Sequence, residues 1–166
     1  MQQQERPVLI IQKNKWDWLL DSITLACLFF IWGYSFLNYC ALPDQIPVHF
    51  NELGFPNGYG SKDSIWLIPF IVSVVVIAFF ILNKFPHRFN YLVNITAENA
   101  LKQYKLSTRL LRIISLNIAI LFSYIIYKEI QGATTGYSKL DWWFIPLLIS
   151  SIITPTVWAM ISMSKK

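Results

Sequence analysis

The chain alternates long apolar runs with polar links. Four runs of about 18 to 22 residues carry almost no charge, and each is long enough as a helix to cross a ~30 Å hydrocarbon core. They fall at residues 18–39, 64–82, 110–127 and 142–163. The first, WLLDSITLACLFFIWGYSFLNY, has Trp16 and Trp18 at one end and Tyr34 and Tyr39 toward the other, which fits interfacial anchoring. The second, SIWLIPFIVSVVVIAFFIL, has no charge at all. Its β-branched run at 71–77 resembles a strand, but the apolar stretch is too long for one. Pro69 falls in its first turns, Pro146 near the start of the fourth run, and Pro155 deeper in that run. A proline inside a span needs a neighbouring helix or a hydroxyl to pair the carbonyl it frees, and Ser150, Ser151 and Thr154 are close by. The pattern predicts an all-α, polytopic membrane protein: a four-transmembrane-helix bundle with a structured outward loop between helices 1 and 2.

The links carry their own signals. In the second link, Thr96 is placed as an N-cap with Glu98 in the first turn, where the helix dipole favours an acid. No Gly or Pro follows Ala97 until Gly132. One continuous helix of about thirty residues, roughly 50 Å long, is expected there. Its basic first turns, NALKQYKLSTRLLR, run directly into the third span. The first link, ALPDQIPVHFNELGFPNGYGSKD, is restricted by Pro43, Pro47 and Pro56, and Gly54, Gly58 and Gly60 supply turns at positive φ. It reads either as a cap packed on the helix ends or as a recognition surface.

Composition narrows the class. The chain is 55% hydrophobic and 14% charged, with a mean hydropathy of +0.44. This excludes an ordinary soluble enzyme, a DNA-binding domain and a disordered chain. Four crossings leave no length for a separate soluble domain, so residues 1–166 are expected to form one integral membrane domain. The net charge of +5 lies mostly in the links. Arg6, Lys13, Lys15, six residues between spans two and three, and Lys165 and Lys166 fall on one side; Lys62, Lys128 and Lys139 fall on the other. The positive-inside rule then places both termini and the middle link in the cytoplasm. The expected location is a prokaryotic cytoplasmic membrane, with the lipid bilayer as partner and no nucleic acid. The N-terminal segment lacks the pattern of a cleaved signal peptide. Cys27 and Cys40, roughly 20 Å apart along one helix, cannot bridge and read as small apolar residues.

Few residues suggest chemistry. His49 is the one outward histidine, and Asp44, Glu52 and Asp63 are the nearby acids. One His with scattered acids falls short of a catalytic zinc set, so no metal or cofactor is expected. Extended backbone from Pro43 to Pro47 and a turn over 54–60 would bring His49 toward Asn51, Glu52, Ser61 and Lys62 in one hydrogen-bonded cluster that fixes the loop. Asp21 is the acid inside a span, at its helix start, where the dipole and nearby water stabilise it. Asn117 lies mid-span in the third helix and is expected to bond another helix. No nucleophile with a partnered His, no carboxylate pair and no phosphate loop is present. His87 reads as a headgroup-facing residue, and the Asn94-Ile95-Thr96 sequon is irrelevant on a cytoplasmic link.

The run Leu42-Pro43-Asp44-Gln45-Ile46-Pro47-Val48-His49-Phe50-Asn51, followed by Gly54, Pro56 and Gly60-Ser61-Lys62, resembles a widespread prokaryotic membrane domain of unknown function, the N-terminal module of SdpI-type immunity proteins. The resemblance covers span one, the loop and span two. Phe85-Pro86-His87, Asn90-Tyr91 and Ile95-Thr96 with Glu98-Asn99-Ala100 are similar to small bacterial relatives. It implies a multi-spanning, non-enzymatic membrane protein that protects against a secreted peptide or signals through a protein partner. No second module like that of the longer immunity proteins is expected within these residues. The rival expectation is a membrane enzyme or small transporter using His49 and nearby acids, with a divalent ion.

Overall fold

The computed structural model describes residues 6–164. Lys165 and Lys166, counted above for orientation, lie outside the described residues, as does the start of the N-terminal segment. Four long helices run in alternating directions: α1 Lys15–Asn38, α2 Leu67–Leu82, α3 Ala100–Thr135 and α4 Phe144–Ser164. With the short 3-10 turns on α1 and α2, four helical units are long and apolar enough to cross a membrane: Lys15–Ala41, Lys62–Leu82, Ala100–Thr135 and Phe144–Ser164. The molecule is an all-α polytopic bundle. We call the end with the chain termini and the 83–99 link the terminal face, and the other the hairpin face.

Side chains set the helix limits. Asn14 and Asp17 form a capping box: the Asn14 side chain accepts from the Asp17 N–H at 2.9 Å, and Asp17 Oδ2 accepts from the Asn14 N–H at 3.0 Å. This starts α1 at Lys15, before the apolar run begins. The expectation of Thr96 as an N-cap is corrected. Its hydroxyl turns to the Glu98 carboxylate, 3.2 Å away, while Asn99 Oδ1 accepts the Thr96 N–H at 2.9 Å. Residues 96–99 thus form an irregular turn, and α3 starts at Ala100. From there α3 is unbroken through Lys105 to Arg112 and continues past 127 to Thr135. Its 36 residues span roughly 54 Å at 1.5 Å each. Gly136, at φ 72°, ends it in the left-handed region.

Helix α3 is the spine of the bundle and packs on α1, α2 and α4. Outward-turned Phe29, Phe36, Phe70, Ile71, Ile153 and Val157 form the apolar girdle expected against lipid. Several polar groups in the spans are hydrogen-bonded within or between helices. Trp32 Nε1 donates to Ser73 Oγ at 3.0 Å, and Ser73 Oγ donates to the Pro69 carbonyl at 2.6 Å, joining α1 to α2. Pro155 cannot donate to the carbonyl of Ser151, four residues back. Asn117 of α3 fills that vacancy, donating to the Ser151 carbonyl at 2.9 Å. The partner is a neighbouring helix, and the Ser150 and Ser151 hydroxyls bond elsewhere on α4.

The loop between α1 and α2 holds a β-hairpin, β1 Gln45–Phe50 antiparallel to β2 Pro56–Ser61. Its base is driven into the bundle: Leu42 and Ile46 join Ile31, Ile65, Val72, Val76, Ile126 and Ile130 in the main core. Burying such aliphatic side chains is worth about 1.5–3 kcal/mol each. The hairpin is therefore a plug between α1, α2 and α3 at that end.

Candidate functional site

Backbone geometry builds the hairpin tip. Asn51 Oδ1 accepts from the N–H groups of Leu53 (3.0 Å) and Phe55 (2.9 Å), and the Asn51 N–H bonds to the Phe55 carbonyl at 2.8 Å. Gly54 sits at φ 82°, and its carbonyl accepts from the Leu140 N–H at 2.8 Å. A Cβ at Gly54 would lie 2.5 Å from the Leu140 carbonyl oxygen. Glycine is needed here twice over, for the turn and for the approach to the α3–α4 link. Gly58 and Gly60, by contrast, do not take positive φ as expected. They lie in β2, where a Cβ would press on the His49 Cβ (3.0 Å) or on Val48 and Ser64.

The expected cluster around His49 does not form. His49 is exposed, and its Nδ1 meets Asn57 Oδ1 at 2.5 Å across the strands. Asn51 serves its own turn. Ser61 and Tyr39 bond to the Asp63 carboxylate, and Lys62 pairs with Asp44 at 3.5 Å. Glu52 is exposed at the tip. The reason is strand geometry. Gln45 pairs with Ser61 at the base while His49 pairs with Gly58 near the tip, and four residues at ~3.3 Å each separate them by roughly 13 Å. Among the described residues no three His, Cys, Asp or Glu side chains gather as a metal set. Pro43 is exposed, Pro47 is buried in β1, and Pro56 opens β2.

What the hairpin does form is a groove. Between it and the end of α3 lies a cavity of about 480 Å³, lined by Pro47, Phe55, Tyr59, Ala133, Tyr137 and Ser138. Tyr59 and Tyr137 stand on its rim, 62% and 67% exposed. The α3–α4 link is held as firmly as the tip. Lys139 Nζ lies 4.6 Å over the Phe55 ring, the Ser138 hydroxyl donates to the Lys128 carbonyl at 3.2 Å, and Asp141 accepts from Tyr124 Oη at 2.5 Å beside Lys128 Nζ at 3.2 Å. The Tyr124 hydroxyl and the Lys128 ammonium hold the Asp141 carboxyl below the usual aspartate range.

A second polar constellation lies at the terminal face. Asp17 and Asp21, one turn apart on α1, meet Arg109 and Arg112 on α3: Arg109 Nε is 3.1 Å from Asp17 Oδ1, and Arg112 Nε is 3.2 Å from Asp21 Oδ1. Lys13 Nζ reaches Asp21 Oδ2 at 2.7 Å. The expectation that Asp21 sits near water is corrected, since it is only 5% exposed, as is Arg112. Sequence reading counted Arg109 and Arg112 only as basic link residues. The available signal was a register of acids four apart facing bases three apart. Beside them, Tyr104, Ile95 and Ala100 form a small core with Leu9, Ile11 and Tyr91. The Tyr104 hydroxyl donates to the Pro7 carbonyl (3.0 Å), and Arg6 donates to the Phe89 carbonyl (2.6 Å), tying residues 6–13 under the link. Burial pushes the Tyr91 hydroxyl up from its ordinary titration range.

A family described as a domain of unknown function, DUF1648, matches residues 26–73, the second half of α1, the hairpin and the start of α2. An uncharacterized protein of Archaeoglobus fulgidus is 27% identical over 79 residues, which is 43% of this chain and 43% of that protein. The chain therefore matches less than half of that relative's length. No solved structure gives a significant match. The hairpin thus belongs to the stretch that this chain shares with a family, and the molecule is a multi-pass membrane protein carrying a DUF1648-like segment.

Proposed function

We propose that this is a binding protein of the SdpI-like immunity or signalling type, whose hairpin face recognises a peptide or protein segment at the outer surface of a prokaryotic cytoplasmic membrane. The observation that carries this reading is the groove: a slot of mixed polar and apolar lining with two exposed tyrosines, beside the Gly54–Leu140 bond. Exposed tyrosines on a rigid support give large contact area at low entropy cost. The motif that resembles SdpI-type proteins, from Leu42 to Lys62, supplies the hairpin itself. The positive-inside count puts the terminal face in the cytoplasm and this groove outside.

Two experiments test the reading. In a Cys27→Ser/Cys40→Ser background, an impermeant maleimide applied to whole cells is expected to label Glu52→Cys and not Lys105→Cys, both exposed positions. The reverse pattern rejects the orientation. Second, cells making the protein are challenged with secreted peptides from competing strains. Protection is expected from the native chain and not from Tyr59→Ala/Tyr137→Ala at equal abundance and equal Tm. Undiminished protection by the double variant, or none by the native chain, rejects the groove as the recognition surface.

A further inference from the structure

The terminal face holds a cavity of about 520 Å³ where the start of α1, the end of α2 and α3 meet residues 10–13. Its polar part contains Lys13, Lys84, Arg112 and one acid, Asp21, so cations exceed anions three to one. Arg112 is the informative group. Its side chain is 6% exposed, and its Nε lies 3.2 Å from Asp21 Oδ1 and 3.4 Å from Oδ2. Its contacts to the described residues run through Nε, no hydrogen bond from its two Nη groups is found among them, and Asp21 Oδ1 beside it is buried without a hydrogen-bond donor. A buried guanidinium held at Nε by a carboxylate presents its Nη fork to whatever fills the space beside it, and a planar fork of this kind suits the oxygens of a phosphate. Asn83, whose Oδ1 is buried without a donor among the described residues, lines the same cavity. It offers an acceptor for a hydroxyl.

The remaining wall is apolar, formed by Ile10, Trp18, Leu25 and Phe80. It lies where α2 ends and α1 begins, at the ends of two helices of membrane-crossing length. We infer that this cavity binds one anionic phospholipid with a hydroxyl-bearing head, of the phosphatidylglycerol kind. The phosphate sits on the Arg112 fork between Lys13 and Lys84, a head hydroxyl donates to Asn83, and the chains leave along Leu25 and Phe80. Asp21 is a positioning residue that aims Arg112. The site is at the opposite end of the bundle from the groove and does not depend on it.

The test uses the whole purified protein in neutral detergent, titrated with dihexanoyl phosphatidylglycerol, dihexanoyl phosphatidylcholine or inorganic phosphate, with Tm and native mass spectrometry as readouts. Phosphatidylglycerol is expected to raise Tm and to be retained at one copy, while the other two do neither. Lys84→Gln, at an exposed position, is expected to weaken it about tenfold, the loss of one charge-assisted contact; Arg112→Gln is expected to abolish retention. Lys105→Gln, exposed on the same face but outside the cavity, should change nothing. Equal shifts with both lipids overturn the inference. So does an equal shift with phosphate alone, which would make this a soluble-anion site, or an equal loss in Lys105→Gln, which would make it diffuse surface attraction. Should Arg112→Gln fail to fold, unchanged binding by Lys84→Gln is enough to reject the site.

Discussion

The two ends of the bundle are held by different physics. At the terminal face, charged side chains carry the structure: Asp17 with Arg109 and Asp21 with Arg112 lock α1 to α3, and Lys13, just before α1, pairs with Asp21. At the hairpin face the ties are apolar and backbone contacts as well as side-chain ones: Leu42 and Ile46 enter the main core, and Lys139 lies over Phe55. One peptide bond at Gly54 contacts the Leu140 peptide, and small residues make room for neighbours. The buried charges resist change because a lone ion in a low-dielectric site is costly. The hairpin resists because its turn has one sterically allowed residue. His49, Glu52 and Asn57, by contrast, are exposed near the hairpin tip.

Substitutions on each side sharpen this contrast. The largest loss is expected at the terminal face. Asp21→Ala leaves Arg112 buried with no carboxylate, at a cost of about 3–5 kcal/mol. Chemical unfolding of the protein in detergent should show it, and a loss below 1 kcal/mol would mean that water already serves Arg112. Gly54→Ala comes next. Positive φ and the collision with the Leu140 carbonyl together cost about 2–4 kcal/mol, and the hairpin should undock. Faster maleimide labelling at Leu140→Cys in the Gly54→Ala background, relative to Leu140→Cys alone, checks that. If Gly54→Ala matches the native chain, the backbone account of the hairpin face fails.

Smaller effects follow inside the membrane and at the surface. Asn117→Ala leaves the Ser151 carbonyl unpaired next to Pro155 and should cost about 1 kcal/mol, in line with interhelical hydrogen bonds in lipid. Asn117→Gln with the bond restored should cost less; an equal loss would show packing to be the cause. His49→Ala removes a bond between two exposed side chains and should cost about 0.5 kcal/mol or less. A stable variant without recognition would give His49 a binding role, whereas a large fall in Tm would revive a structural one. Asp141 is a pH probe of the α3–α4 link. Its folded carboxyl titrates below the ordinary aspartate range, so its contribution is present above that range and is lost as pH falls from there through the lower folded value. The acid-side loss of Tm should shrink in Asp141→Asn. An unchanged acid limb would mean that other carboxylates govern it.

Much of this architecture was legible from the residues alone. Apolar run length determines four membrane-length helices even where Pro69, Pro146 and Pro155 fall inside a run, because backbone in hydrocarbon must satisfy its own hydrogen bonds. The same rule makes the continuity of α3 readable from the absence of Gly and Pro after Ala97. The three prolines and three glycines marked the first link as ordered. Local signals could not specify its form. β1 is short and contains Pro47, and its stability comes from Ile46 entering a core whose other members lie as far off as Ile126 and Ile130. Nor could they choose partners: Thr96 had an acid in reach that outcompeted the helix end, and His49 found Asn57 because strand register placed it there. Asp21 and Arg112 are 91 residues apart in sequence. Charge and span position mark each as unusual, yet only the packing of α1 on α3 buries both and leaves the Nη fork open. Helix length is a property of consecutive residues, whereas ion pairs, register and cavities belong to surfaces that exist once the chain has packed.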